Sequence, residues 1–194
     1  NVEIHIVDSN LYSEGPLLIT HWGMSGPAIL KLSAWGARIL NDKKYQFTIF
    51  VNWLNDVATE DAEKIVKELK QEQAKKAVSK KSPFDLPNRL WESLVLASSI
   101  ESETKWADVS KIQMQNLARQ LTNSSFQVNG KSTFKEEFVT AGGIDLKEIN
   151  FKTMESKLQE NLYFAGEIVN IDAITGGFNF QNAWTSGFIV ANAV

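Results

Sequence analysis

The chain opens on a strict alternation. Val2, Ile4 and Ile6 fall on one side and Glu3, His5 and Val7 on the other, the period of two expected of a strand with one buried face. A second short strand is expected at Leu17-Leu18-Ile19-Thr20, and a third from Tyr45 to Val51, where Tyr45, Phe47, Ile49 and Val51 alternate with Gln46, Thr48 and Phe50. Between them Ser25 has the chemistry of a helix N-cap and Pro27 suits a first helical turn, so a helix is predicted with Ile29, Leu32 and Trp35 on its apolar face.

After Asn52 the period changes. From Thr59 to Lys81 the stripe Ala62, Ile65, Val66 and Leu69 predicts an amphipathic helix. Its seven lysines are interleaved with five acids, which reads as a solvated face rather than a phosphate-binding patch. Pro83 and Pro87 interrupt the chain, and Pro87 suits the start of a helix through Leu90, Leu94 and Ala97. Ser110 with Gln113 has the spacing of a capping box for a further helix that buries Met114, Leu117, Ala118 and Leu121. Three helices joined by short polar loops are expected to pack as a small bundle.

Strand signals return at Phe126 to Val128, at Phe134 to Val139 and at Leu162-Tyr163-Phe164-Ala165. The last is short, continuously apolar and bounded by turn residues, as expected of a strand buried on both faces in a parallel sheet. A glycine-rich loop and a final helix from near Asn179 follow. The order is strands, a helical insertion, strands, and one strand-loop-helix unit, which predicts an α+β fold.

Composition narrows the chemistry. With 194 residues, 43% hydrophobic and 22% charged, the chain is ordinary globular material, and a net charge of −3 offers no basic footprint for nucleic acid. The absence of cysteine removes disulfides, thiolate metal sites and thiol nucleophiles, and His5 and His21 are too few for an all-histidine metal site, so no metal is expected. Apolar stretches such as Phe188 to Ala191 fall far short of the roughly 20 residues of a membrane span. The alternating opening lacks the pattern of a secretory leader, so the expected location is the cytoplasm.

The stretch from Gly166 to Gly187 is richest in candidate chemistry. A strand ending in Gly166-Glu167 would place a carboxylate at the carboxyl edge of a sheet, where it can accept hydrogen bonds from sugar-like hydroxyls. Gly176 and Gly177 would let backbone amides approach a ligand at a helix N-terminus; the plainer reading is a tight turn before an ordinary helix. His21, between a strand and a helix start, is a candidate acid or base, against a hydrogen-bonded structural role. His5 is expected in solvent and Trp184 in the core, and Glu155 and Lys157 are close enough in sequence to pair.

This stretch, together with Phe138-Val139-Thr140-Ala141-Gly142-Gly143-Ile144, Thr153-Met154-Glu155-Ser156-Lys157 and Thr20-His21-Trp22-Gly23-Met24-Ser25-Gly26-Pro27-Ala28, resembles the YhiN/BaiN-like family of FAD-dependent oxidoreductases, which includes aminoacetone oxidase. The four blocks occur in the family's order over nearly the whole chain. The resemblance implies an FAD domain interrupted by two inserted subdomains. It would divide the chain into a β-rich subdomain at 1–55, a helical subdomain at 56–123, return strands at 124–139 and the C-terminal part of the FAD domain at 140–194. It further implies that Glu167 holds the ribityl hydroxyls, with Gly166 beside it in the cofactor site, that Gly176, Gly177, Phe178 and Asn179 face the pyrimidine edge of the flavin, and that Thr140, Ala141, Gly142 and Gly143 approach the isoalloxazine.

The family also carries an N-terminal G-x-G-x-x-G turn over the pyrophosphate, and no three glycines here have that spacing. By resemblance that half belongs N-terminal to Asn1. The chain is therefore expected to be the C-terminal portion of a flavoenzyme, inactive and free of FAD alone, which moves hydride between a small substrate and FAD. Oxidation of an amine such as aminoacetone by oxygen and reduction of a carbonyl or enone are both compatible. Its expected partners are the substrate, the missing N-terminal portion and, through an unpartnered C-terminal strand, further copies of itself. The alternative is a non-catalytic interaction module that docks through its helical subdomain.

Overall fold

A computed structural model of the chain describes residues 1–132 and 139–194. Most of the strand expected at 134–139, and Phe138 of the block that follows, lie outside the described residues. The fold is α+β, built on antiparallel sheets, and it divides into two compact units, Asn1–Ala28 with Gln46–Asn129, and Ile29–Tyr45 with Gly130–Val194. Thus 29–45 group with the second unit, apart from the rest of 1–55, while 56–123 group with the first.

In chain order the elements up to the end of the helical region are β1 (Val2–Ile6), β2 (Tyr12–Gly15), β3 (Leu18–Ile19), β4 (Met24–Ser25), α1 (Pro27–Asp42), β5 (Gln46–Asn52), α2 (Thr59–Glu72), α3 (Asn88–Ala97), α4 (Lys111–Thr122) and β6 (Ser124–Asn129). The main sheet of the first unit runs β2-β1-β5-β6, every pair antiparallel. The alternation of the opening residues has the expected effect: Val2, Ile4 and Ile6 are buried, and Ile4 lies opposite Val51 and Ile6 opposite Ile49 in the register with β5. His5 points outward, 2.8 Å from Glu3 and stacked on Tyr12.

The helical region leaves the sheet after β5 and returns directly into β6. Ser110 and Gln113 form the reciprocal capping box that starts α4. Leu117, Ala118 and Leu121 of α4 are buried, as are Ala62, Val66 and Leu69 of α2, which packs against it. Trp91 of α3 is fully buried, its ring 6.5 Å from that of Trp106 and its indole N–H donating to the Val78 carbonyl at 2.8 Å. The face of α3 is therefore Trp91, Leu94 and Val95 rather than the expected Leu90, Leu94 and Ala97; Ala97 is exposed.

Three further expectations need correction. The helix expected over 59–81 stops at Glu72. Beyond it Trp106 donates to the Lys76 carbonyl at 3.0 Å and Val78 to the Thr104 carbonyl at 2.9 Å, with Val78 and Trp106 buried. Helix-forming composition at 73–81 yields to the burial of these two side chains, the ordinary tertiary override of a weak propensity. Next, Ser25 does not cap α1, since it pairs with Leu18 in β4. The buried positions of α1 are Ala28, Leu32, Gly36 and Leu40, whereas Trp35 is 67% exposed.

The second unit adds β7 (Ile149–Asn150), β8 (Glu155–Ser156) and α5 (Phe178–Ala193). Its small core is Ile149, Met154 and Val169, ringed by Ile144, Leu146, Phe164, Ile171, Ile189 and Val190. The third correction falls here, because Leu162–Ala165 is not a doubly buried strand. Leu162 is 43% exposed and Tyr163 makes one isolated antiparallel bridge to Glu155. Its backbone groups are met by the β7–β8 hairpin instead, through Ser156 N–H to the Leu162 carbonyl at 2.7 Å and Phe164 N–H to the Met154 carbonyl at 3.0 Å. Glu155 and Lys157 do not pair: the Glu155 carboxylate accepts from the Asn161 amide, and Lys157 donates to the Lys147 carbonyl.

Candidate cofactor site

Three separated parts of the sequence converge in the second unit. The first is the loop ending in Gly142-Gly143, preceded by Thr140 and Ala141, both exposed. At its end the Ile144 amide donates to the Ile168 carbonyl at 2.9 Å and the Asn170 amide returns a bond to the Ile144 carbonyl at 3.1 Å, a single parallel bridge. Gly143 sits in the closest part of this crossing. A Cβ there would stand 2.5 Å from the Ile168 carbonyl oxygen and 2.9 Å from the Asn170 nitrogen, and φ is +131°. Only glycine lets the two backbones approach so closely.

The second part is a single 3-10 turn, Gly166–Ile168, which carries Glu167 into solvent. It is tied to α5 by the Gly166 amide, which donates to the Ser186 hydroxyl at 2.9 Å; that hydroxyl is buried and donates in turn to the Asn182 carbonyl at 2.7 Å. The turn is thus held by the third turn of α5 rather than by a sheet, which is why Glu167 keeps its place without the buried strand that was expected before it.

The third part is Gly176-Gly177 and the start of α5. Gly177 precedes the helix at φ 87°, in the left-handed region, and no side chain caps the first turn. Asn179 clamps the incoming loop from both sides, its side chain accepting from the Ala173 amide at 2.8 Å and donating to the Ala173 carbonyl at 2.9 Å. Arg38 completes the cluster, with one nitrogen 2.6 Å from the Asn170 side-chain oxygen and another 3.3 Å from the Asp172 carboxylate.

The structure therefore brings together Gly142, Gly143, Gly166, Glu167, Gly176, Gly177, Phe178 and Asn179 through 168–173 and α5. His21 belongs to the first unit, where it is exposed in the turn that joins β3 to β4 and is closed by Thr20 and Gly23. Trp184 is 71% exposed beside Phe180, so its expected place in the core is corrected. Sequence reasoning missed Arg38, Asn170, Asp172 and Ser186. The last three stand inside the stretch singled out for its glycines, but the pairing of Arg38 spans more than 130 residues and leaves no local signal.

As a receptor the cluster suits a planar, electron-rich group with hydroxyls attached. Built Cβ positions at Gly142, Gly166 and Gly177 meet nothing within 4 Å, leaving open space beside backbone amides, and the uncapped first turn of α5 favours partial negative charge. Glu167 supplies an acceptor for hydroxyl groups. These are the donors and acceptors that a flavin with its ribityl chain needs, so the residues present fit that group.

Fold and site together define an α+β chain in which an antiparallel sheet carries a helical excursion and a glycine-lined loop cluster meets a helix N-terminus. The chain belongs to the family described as HI0933-like protein barrel and H2TH domain, which it matches over residues 1–139. It is 32% identical to a ribosomal RNA dihydrouridine synthase of Haemophilus influenzae, with 92% of this chain and 42% of the relative aligned, and 32% identical to the Escherichia coli protein of the same name, with 90% and 41% aligned. It is also 25% identical to a 3-dehydro-bile acid delta(4,6)-reductase of Clostridium scindens, with 92% and 44% aligned. These relatives are named as enzymes, and the chain spans about two fifths of their length. Among the described residues, no helix is long and apolar enough to cross a membrane.

Proposed function

We propose that this chain contributes the flavin-facing half of an FAD-dependent reductase that adds hydride to a carbon–carbon double bond conjugated to a carbonyl. The observation that carries the reading is the packing of the Gly142-Gly143 loop against 168–170, next to the Glu167 turn that is tied to α5, with Gly176-Gly177 at the uncapped start of that helix. The names of the relatives support the direction. Dihydrouridine is uridine with its ring double bond reduced, and a delta(4,6)-reductase acts on a conjugated system, so both names describe reduction and neither describes amine oxidation. The uracil base of RNA is the substrate class we assign, following the two relatives at higher identity.

In this reading Gly166 and Glu167 hold the ribityl hydroxyls, while the amides of Phe178 and Asn179 face the pyrimidine edge of the flavin. The reduced flavin, when bound, would supply the hydride and solvent the proton that completes the reduction; the chain would orient the ring and stabilise the negative charge that its pyrimidine edge carries while reduced. Asn179 keeps the 173–177 loop from drifting over the helix start. Thr140 to Gly143 line the approach to the ring, and Gly143 fixes their position by its crossing with 168–170.

The test uses the intact protein without oxygen, reduced and mixed with an uncharged uracil nucleoside or a uridine-containing RNA, and separately oxidised and mixed with aminoacetone. Reoxidation of the flavin by uracil substrates supports the reading. Bleaching of oxidised flavin by aminoacetone, with peroxide formed on admitting oxygen, overturns it in favour of amine oxidation. For the site, Glu167→Ala is expected to weaken FAD binding tenfold or more, from the loss of a charge-assisted hydrogen bond of about 1.5–3 kcal/mol. Unchanged affinity would remove Glu167 from the site.

A further inference from the structure

The end of α2 at Glu72 separates charges that look mixed in the sequence. The five acids between Thr59 and Lys81, namely Glu60, Asp61, Glu63, Glu68 and Glu72, all lie on α2. Lys75, Lys76, Lys80 and Lys81 all lie beyond it, on the segment that folds back against 104–107. There they meet Lys105, whose backbone bridges that of Ala77. The five lysines line one open groove of about 920 Å³ with Glu103 as the single carboxylate, a local excess of four positive charges. All five are exposed, and among the described residues none forms an ion pair.

The floor of this groove is tied together by hydrogen bonds. Besides the bonds of Lys76 and Val78, the Ala107 amide donates to the Ala74 carbonyl at 3.0 Å and the Ser79 hydroxyl to the Ser102 carbonyl at 2.6 Å. Val78, Trp91 and Trp106 are packed beneath. Gathering five ammonium groups on a fixed surface costs folding energy through mutual repulsion, and nothing in the first unit's core needs them there.

We propose that this groove of the helical region docks the phosphodiester backbone of RNA; this rests on the assignment of an RNA base as substrate. The net charge of −3 does not oppose it. At physiological salt, charges more than about 8 Å apart are largely screened, so a phosphate in the groove responds mainly to the five lysines and Glu103 that line it. Lysine heads on flexible stems suit a chain of phosphates read as point charges, without sequence. The groove is concave and its only apolar lining side chains are Ala77 and Pro83, which suits a backbone lying in it better than a lipid surface pressed against it.

The probe is a fluorescein-labelled single-stranded RNA of about 20 nucleotides, titrated into the intact protein at several salt concentrations. If the five lysines each displace a counterion, log affinity falls against log salt with a slope near 0.7 per contact, so binding weakens about a hundredfold between 50 and 200 mM salt. Changing Lys75, Lys76, Lys80, Lys81 and Lys105 together to Gln is expected to reduce the slope of log affinity against log salt by about 3. Changing Lys64 and Lys67, on α2 outside the groove, should leave it within experimental error.

The five-site variant should keep or raise its unfolding midpoint and keep its flavin reoxidation by the uncharged nucleoside, while losing most of its advantage on RNA at low concentration. Retention of the wild-type salt slope overturns the proposal, as does equal lysine-dependent binding to vesicles of anionic phospholipid or to a poly-glutamate peptide. The two readings fail separately. RNA binding that needs the five lysines, in a protein that never reduces uracil, leaves the groove intact and removes the substrate assignment; uracil reduction in RNA that ignores the lysines does the reverse.

Discussion

Gly143 shows how much one hydrogen atom in place of a methyl group can decide. Its missing side chain permits the crossing of Ile144 with Ile168 and Asn170, and the same crossing sets where Glu167 leaves its turn. Gly143→Ala must move backbone at 2.5 Å and adopt an unfavourable φ, so a loss of about 2–4 kcal/mol is expected in denaturant titration. Gly142→Ala has open space around its Cβ and carries only the conformational strain, about 1 kcal/mol. Asn179→Ala removes both bonds to Ala173 and should cost about 1–3 kcal/mol with a matching loss of FAD affinity, measured as a rise in the dissociation constant. Glu167 and Gly176-Gly177 stand out in the sequence by residue type, whereas Gly142-Gly143 and Asn179 enter only through the family resemblance. Arg38 does neither, since an arginine on a helix face looks the same whether it points at solvent or at Asp172 across the fold.

Helix and strand types were readable wherever a period persisted over several turns, as in the alternation of β1 and the capping box of α4. Their ends and faces were not. Nothing local distinguishes residues 73–81 from a continuing helix; what stops α2 is a partner strand segment some 30 residues further on, where Trp106 and Val78 are buried together. The apolar run at 162–165 was misread for the same reason, because a strand needs neighbours and the hairpin at β7–β8 offers it only an edge. Two changes probe the elements themselves. Ser110→Ala removes one half of the capping box and should cost about 1 kcal/mol, with a fall in unfolding midpoint of a few degrees. Trp91→Ala empties a fully buried site and strands the Val78 carbonyl, so a loss of about 3–5 kcal/mol is expected, with the helical region melting first in hydrogen exchange.

For the whole molecule, Phe180, Trp184 and Phe188 form an exposed apolar row at successive turns of α5. Residues 1–194 alone should self-associate as concentration rises in sedimentation, and Trp184→Gln with Phe188→Gln should shift them toward monomer. The helical excursion carries a different consequence. It leaves and re-enters the sheet at nearly one point: the Trp53 amide donates to the Leu121 carbonyl at 2.8 Å, Thr59 and Thr122 share a hydroxyl bond of 2.8 Å, and the Trp53 indole reaches Ser124, 71 residues along the chain, at 2.9 Å. Joining β5 to β6 directly from an unfolded chain would close a loop of that length. If α2 and α4 pair beforehand, the remaining loop shortens to about ten residues and the entropic barrier falls by about 2 kcal/mol. In that order of events the excursion, rather than the sheet it interrupts, would set the rate of folding. Val66→Ala and Leu117→Ala should slow refolding in proportion to the stability they remove, while Ile4→Val should act mainly on the unfolding limb.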